Sequence, residues 1–255
     1  MRFGELTWQE VQTLAADGAI AAVPTGCTEQ QGPHLPVDND TWFAEALLVE
    51  AAARLGAVTP VVVLPALPYG PTPEHRRYGS GYVDIPVPVF EEFVAAILSS
   101  LADQGFDRIL VWRGCGGHDL RGVVNAFNES RAPIARAFLP SHPYHRLWCS
   151  IADGSVPGGH ADSFTTSILM AKRPSSVRAD LIPPDTSDEP DWSDPHLDFT
   201  RYSRSGVIGS AAHASVELGE RLWEACVETV VSIVRQIASD PASVGVEPTT
   251  GAYGD

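Results

Sequence analysis

Three short segments of this 255-residue chain gather the residue types that do chemistry. The first, Pro24 to Asp40, is polar, carries Gly26, Gly32, Pro33 and Pro36, and holds two carboxylates, Glu29 and Asp40. Hard oxygen donors on a stiff loop suit a divalent cation, although the same residues also serve as loop caps and solvated surface. The second, Arg113-Gly114-Cys115-Gly116-Gly117-His118, sets one cysteine among glycines, which allow close backbone approach and unusual dihedrals. Cys115 can there bind zinc as a thiolate, attack as a nucleophile, or pack. The third, Gly158 to Ser167, opens with two glycines and His160, a general base or ligand by type. Its other reading is a helix N-terminal turn capped by Asp162 and Ser163.

Apolar periodicity shows what must position these segments. Trp8 to Asp17 reads as a short helix with Thr7 as N-cap and Glu10 three residues on. Ala19 to Pro24 and the β-branched Val58 to Leu67 read as buried strands, and Arg108 to Trp112 as a third. Thr41 to Leu55 and Val89 to Gln104 read as helices that stop at Gly56 and Gly105. Strand, loop and helix in alternation predict an α/β fold, a mainly parallel sheet covered on both faces. In such sheets ligands bind beyond the carboxyl ends of the strands. The loops Thr25–Asp40 and Arg113–His118 each follow a strand directly, so both are expected at one sheet edge and in one site. Asp180 to Asp198, rich in Pro, Asp and Ser, reads as an exposed excursion, and Ala212 to Ser239 as a long amphipathic helix. The expected organisation is one domain over residues 1–240 and a flexible tail over 241–255.

Composition narrows the partners. Hydrophobic residues make up 44% and charged residues 19%, which excludes a disordered, collagen-like or coiled-coil chain. Thirty-two acidic residues against 17 basic ones give a net charge of −15, repelled by nucleic acid and by anionic membranes. No apolar run approaches the ~20 residues of a membrane span. The N-terminus has no cationic segment followed by an apolar one, so a cytoplasmic location is expected. The charge excludes these partners but names none of its own. None of the four cysteines lies in a CxxC pair, and free thiols or site residues are expected rather than a disulfide framework. Cys27, Cys149 and Cys226 carry no further signal of their own.

The first segment resembles the signature of the creatininase (creatinine amidohydrolase) family, roughly P-x-G-S-x-E-Q-H-G-P-H-L-P-x-x-T-D. The second is similar to N-G-H-G-G-N and the third to H-A-G-x-x-E-T-S. Gly206 to Gly209, followed by Ala214, Glu217, Leu218 and Gly219, resembles the family's C-terminal run. The match extends in order from about Leu6 to about Ile237. The resemblance implies a three-layer α/β/α fold, a homo-oligomer (commonly a hexamer), and hydrolysis of amide-type C–N bonds in small substrates. It also implies two divalent metals. One is bound by the Glu of E-Q-H-G, the Asp of T-D and the His of N-G-H-G-G-N. The other takes the His of E-Q-H-G, the same Asp, and a Glu from the E-T-S segment.

Against that pattern Glu29 and Asp40 are kept, but the first His is Gln31, the second is Cys115, and the Glu is Thr165. The last Asn of the second motif is His118. Glutamine and threonine are poor ligands, so the second metal is expected to be absent. Glu29, Asp40 and Cys115 remain as a three-ligand zinc set with an open fourth position, and His160 or His118 as proton shuttle. An alternative is metal-free: Cys115 near a helix N-terminus, with His118 or His160, acting as nucleophile or acid in a hydrolysis, cyclisation or dehydration, and Glu29 as base or orienter. Two neighbouring carboxylates should raise the Cys115 pKa unless a cation lies between them. A third reading is an inactive subunit. Gln31, His34, His75 in the loop Glu74–Gly79, Arg113 and Trp148 are the expected substrate contacts, with Arg113 replacing the Asn that opens the second motif. Aromatics wall the substrate in creatininase itself, which also draws in Tyr144.

Overall fold

The computed structural model describes residues 1–141, 143–152, 156, 158–184 and 186–246. Residues 247–255, most of the expected tail, lie outside the described residues.

Four parallel strands lie in the order β2–β1–β3–β4: β1 is Ile20–Thr25, β2 Val61–Val63, β3 Arg108–Arg113 and β4 Arg136–Phe138. Ala21 to Thr25 run in register with Ile109 to Arg113, and Ile20 to Ala22 with Val61 to Val63. Because side chains alternate along a strand, the sheet feeds two cores. Ile20, Ala22, Val61, Val63, Leu110, Trp112 and Phe138 pack on one side with α2 (Asn39–Leu55), α5 (Tyr144–Ile151), α6 (Ser163–Lys172) and α7 (Val216–Ser239). Ala21, Val23, Val62, Ile109, Val111 and Ala137 pack on the other with α1 (Trp8–Ala16), α3 (Val87–Asp103) and α4 (Arg121–Arg131). This is the three-layer arrangement that the strand and helix pattern predicts.

The expected elements differ in detail for local reasons. α1 begins with a full capping box, in which Glu10 accepts from the Thr7 backbone N–H at 2.7 Å. The strand expected over Val58–Leu67 keeps only three residues, because Val58 is 94% exposed and Pro60 and Pro65, which cannot donate to a ladder, bracket the paired stretch. α7 starts four residues later than expected, where the Ser215 hydroxyl accepts from the Leu218 N–H. α4, α5 and β4 appear where periodicity gave no element.

Strand β1 leads into α2 on one face, and β3 into α4 on the other. The strand order therefore switches direction between β1 and β3, and a crevice opens at their carboxyl ends. The loops after β1 and β3 flank that crevice. Their backbones seat closely on the start of α2. A Cβ on Gly26 would lie 2.5 Å from the Thr41 Cα, and one on Gly114 would lie 2.3 Å from the Asp40 carbonyl oxygen. Only glycine allows either approach.

Candidate active site

Asp40 sits in the first turn of α2, so the positive helix N-terminus faces the crevice with it. Its Oδ1 accepts from the Asn39 side-chain amide at 2.7 Å and from Gln31 Nε2 at 3.2 Å, while the Cys27 thiol donates to Oδ2 at 3.1 Å. Gln31 Nε2 also donates to Glu29 Oε1 at 3.3 Å. Its amide thus bridges the two carboxylates. Cys115 Sγ lies 4.0 Å from Glu29 Oε2. Cys27, Glu29, Asp40 and Cys115 are all buried, and one donor atom from each lies within 4.8 Å of the others. His118 forms a second such group with the two cysteines, and neither of its ring nitrogens has a hydrogen-bond partner among the described residues. Its ring packs on the bare face of Gly70 and 4.7 Å from the Phe90 ring.

Four acids this close cannot all ionise without a cation. Burial lifts the Glu29 carboxyl well above its usual range, and the neighbouring charges of Cys115, Asp40 and Glu74 add to it. Burial likewise lifts Asp40 to about 7. Burial pushes the Cys27 thiol up. Cys115 departs from the expectation that the carboxylates would raise it. The neighbouring Cys27 side chain and the charge of His118 hold its thiol well below the ordinary value, so the carboxyls carry the repulsion instead. The helix N-terminus at the site belongs to α2; α4, the helix after Cys115, begins only at Arg121.

On the other side of Glu29 stand two histidines. His160 Nδ1 lies 3.4 Å from Glu29 Oε1, and His75 Nε2 lies 3.4 Å from Oε2 and 3.5 Å from Glu74 Oε1. Nε2 of His160 donates to the Gln30 carbonyl at 2.7 Å, which leaves Nδ1 as a bare lone pair turned towards Glu29. Gln30 Nε2 lies 3.1 Å from His75 Nδ1 and donates to the Gly206 carbonyl at 3.1 Å. Burial, with His75 beside it, lowers the His160 pKa to about 3, so the ring is neutral. The backbone holds it from both sides: residues 160 and 208 exchange N–H···O bonds at 3.1 and 2.9 Å. Ala161 then turns through a left-handed φ of 51°, which places Asp162 as the N-cap of α6. That backbone costs roughly 1 kcal/mol or more for an alanine. Asp162 thus caps α6, while Ser163 lies inside the helix and donates to the Ser210 carbonyl, and the His160 side chain faces Glu29.

A cleft whose empty space, open mouth included, is about 930 Å³ leads down to this cluster. Glu29, Gln31, Asp40, Cys115, His160 and Thr165 line its floor, with Tyr144, Trp148, Glu189 and Trp192 among its walls. Trp148 is also tied to the core by donating to the Val156 carbonyl at 3.0 Å. Several expected contacts lie elsewhere. His34 is fully buried behind the loop, with Nε2 2.8 Å from the Thr166 hydroxyl. Arg113 turns back to donate to the Gly116 and His118 carbonyls at 3.3 and 2.9 Å, shaping the loop rather than lining the cleft. His118 and His75 sit behind the lining, His75 at 1% exposure rather than on an open loop. The stretch expected to be a plain exposed excursion supplies Glu189 and Trp192, joined by a 3.0 Å hydrogen bond. Cys27, which had no signal of its own, belongs to the cluster. The one available hint was that it stands where the resembled signature has Ser.

The Creatininase family model (creatinine amidohydrolase) matches residues 4–234. The creatinine amidohydrolase of Pseudomonas putida is 27% identical over 256 residues, 91% of this chain and 95% of that protein. A mycofactocin precursor peptide peptidase of Mycobacterium tuberculosis is 28% identical over 258 residues, 93% of each. Among solved structures, a manganese creatininase superposes with a TM-score of 0.78 over 92% of this chain and 97% of its own, at 23% identity.

Proposed function

The chain belongs to the creatininase family of amidohydrolases, and on that footing we propose that it hydrolyses an amide, lactam or cyclic amidine C–N bond of a small molecule with the help of a single zinc ion on Glu29, Asp40 and Cys115. The observation that carries this is the buried cluster itself. Two carboxylates and a thiolate converge at the foot of an open cleft, where burial and mutual repulsion make a divalent cation the natural counter-charge. When bound, such an ion polarises the scissile carbonyl and acidifies water.

The chain's own residues supply the rest. Asn39 and Gln31 fix the Asp40 carboxylate, and Gln31 also orients Glu29. The Gln31 amide, donating to both, occupies the side on which family resemblance puts a second metal, which supports one ion rather than two. His160 has its Nδ1 lone pair towards Glu29 and the cleft; its lowered pKa makes it a weak base, so a proton received at Nδ1 passes readily on to the leaving nitrogen. Trp148, Tyr144 and Trp192 give an apolar wall to a flat substrate ring. A thiolate among the ligands favours zinc over the manganese of the solved creatininase.

Protein purified without chelator should carry about one zinc per chain by mass spectrometry and open simple lactams or creatinine-like rings. No zinc after supplementation would overturn the reading. A second reading has one specific observation behind it, the acidified Cys115 thiol beside His118. If metal-stripped protein keeps its activity and iodoacetamide on Cys115 abolishes it, the thiol is the nucleophile. By the same resemblance we place the protein as a homo-hexamer, and the exchanged site residues suit a tailoring role in specialised biosynthesis. Val87, Val89 and Phe93, at least half exposed along α3, offer an apolar contact face.

A further inference from the structure

Of the donor atoms gathered under the cleft, two belong to both candidate groups. Cys27 and Cys115 lie within 4.8 Å of each other and of a Glu29 and an Asp40 oxygen, and the same two sulfurs lie within 4.8 Å of a His118 ring nitrogen. Ligands around a tetrahedral zinc, with bonds of ~2.0–2.3 Å, stand about 3.3–3.8 Å apart. The sulfurs and oxygens would have to close by at most about 1.0–1.5 Å. Cys27 is completely buried, and its thiol is aimed at Asp40 Oδ2, inward to the cluster, rather than into the apolar core. His118, 1% exposed and with both ring nitrogens unpartnered among the described residues, points to something the cluster is built to receive. We propose that Cys27 is a ligand of the same ion as Cys115, so that the centre is a dithiolate site selective for soft divalent metals.

This deepens the zinc reading above and rests on it. The Cys27 thiol gives its proton to solvent as its sulfur bonds the ion, and the Cys115 thiolate bonds as it stands, with no change of oxidation state. Two thiolates neutralise the ion's charge. The carboxylates of Glu29 and Asp40 would supply the oxygen donors beside them.

Cobalt(II) titrated anaerobically into metal-free protein reads the sulfur count through its thiolate-to-cobalt absorption in the near ultraviolet. The expected band falls to about half in Cys27→Ser and in Cys115→Ser, vanishes in the double variant, and is unchanged in Cys149→Ser, whose thiol is exposed on α5. The Cys27→Ser variant should also bind zinc at least ~10-fold more weakly while its manganese affinity holds. A full-strength band in Cys27→Ser, with cobalt still bound, overturns the dithiolate and leaves the Glu29/Asp40/Cys115 reading standing. No cobalt or zinc uptake by the wild type overturns both. Should Cys27→Ser fail to fold, X-ray absorption of the wild-type zinc protein decides alone. Two sulfurs at ~2.3 Å are expected, and one sulfur refutes the proposal.

Discussion

Glu29 divides the site into two unlike halves. On one side lie two thiols and a second carboxyl, each disfavoured or rearranged by its neighbours, together with the His118 imidazole, whose ring nitrogens have no geometric hydrogen bond among the described residues but whose charge faces Cys115. On the other lie His160 and His75, whose rings are set by Gln30 and by the strand-like pairing of residues 160 and 208. The first half is crowded with acids. In the second the rings are held by Gln30 and the backbone, yet His75 Nε2 has no hydrogen-bond partner among the described residues and both rings lie within ligand distance of Glu29. A crowd of acids is built around a cation it binds. Rings fixed in place are suited to hold a proton at one atom.

The largest test of that contrast is Cys115→Ser, expected to cost at least ~10³-fold in hydrolysis and to weaken zinc binding, since a well-held Lewis acid is worth several kcal/mol. If this variant keeps both, neither the metal nor the thiol reading survives. His160→Asn should lower kcat ~10²-fold or more while zinc stays bound, the signature of a proton carrier outside the ligand set. Loss of zinc with it would merge the two halves.

A smaller effect concerns His34, close in sequence to both halves yet part of neither. Burial holds its pKa down to about 4 against 6.5 in the unfolded chain. Between those values the unfolded state binds more protons, so stability should fall as pH drops from 6.5 to 4. At ~1.4 kcal/mol per unit the loss is about 3 kcal/mol at most. Urea melts across that range should show it in the wild type and a flatter profile in His34→Gln. An equal loss in both would show that His34 is not the group responsible. Least of all, Trp192→Ala should raise KM a few-fold with kcat and zinc unchanged. An unchanged KM would take Trp192 out of the substrate wall.

The legible parts of the molecule were those governed by local pattern. The apolar runs of β1 and β3 and the loops after them put Glu29, Asp40 and Cys115 at one edge, because a parallel sheet leaves those loops nowhere else to go. The illegible parts depended on what a side chain meets across the fold. Arg113 has the type of an anion binder, but two carbonyls of its own loop take its guanidinium. His34 shares a motif with Glu29 yet points to Thr166, 132 residues away. Cys27 reads as a small apolar residue until Asp40 is placed 3.1 Å from its sulfur. β4 spans three residues, too few to show a period.

Gly26 and Gly114 let the two site loops press closely on the main chain of the first turn of α2, with Thr41 and Ala44 beside it. None of the cluster's donor side chains makes those contacts, so the cradle's shape depends little on the groups that hang in it. A lineage can exchange imidazole for thiol, or glutamate for threonine, without refolding the crevice, whereas a single methyl group on either glycine would spoil it for every version of the chemistry.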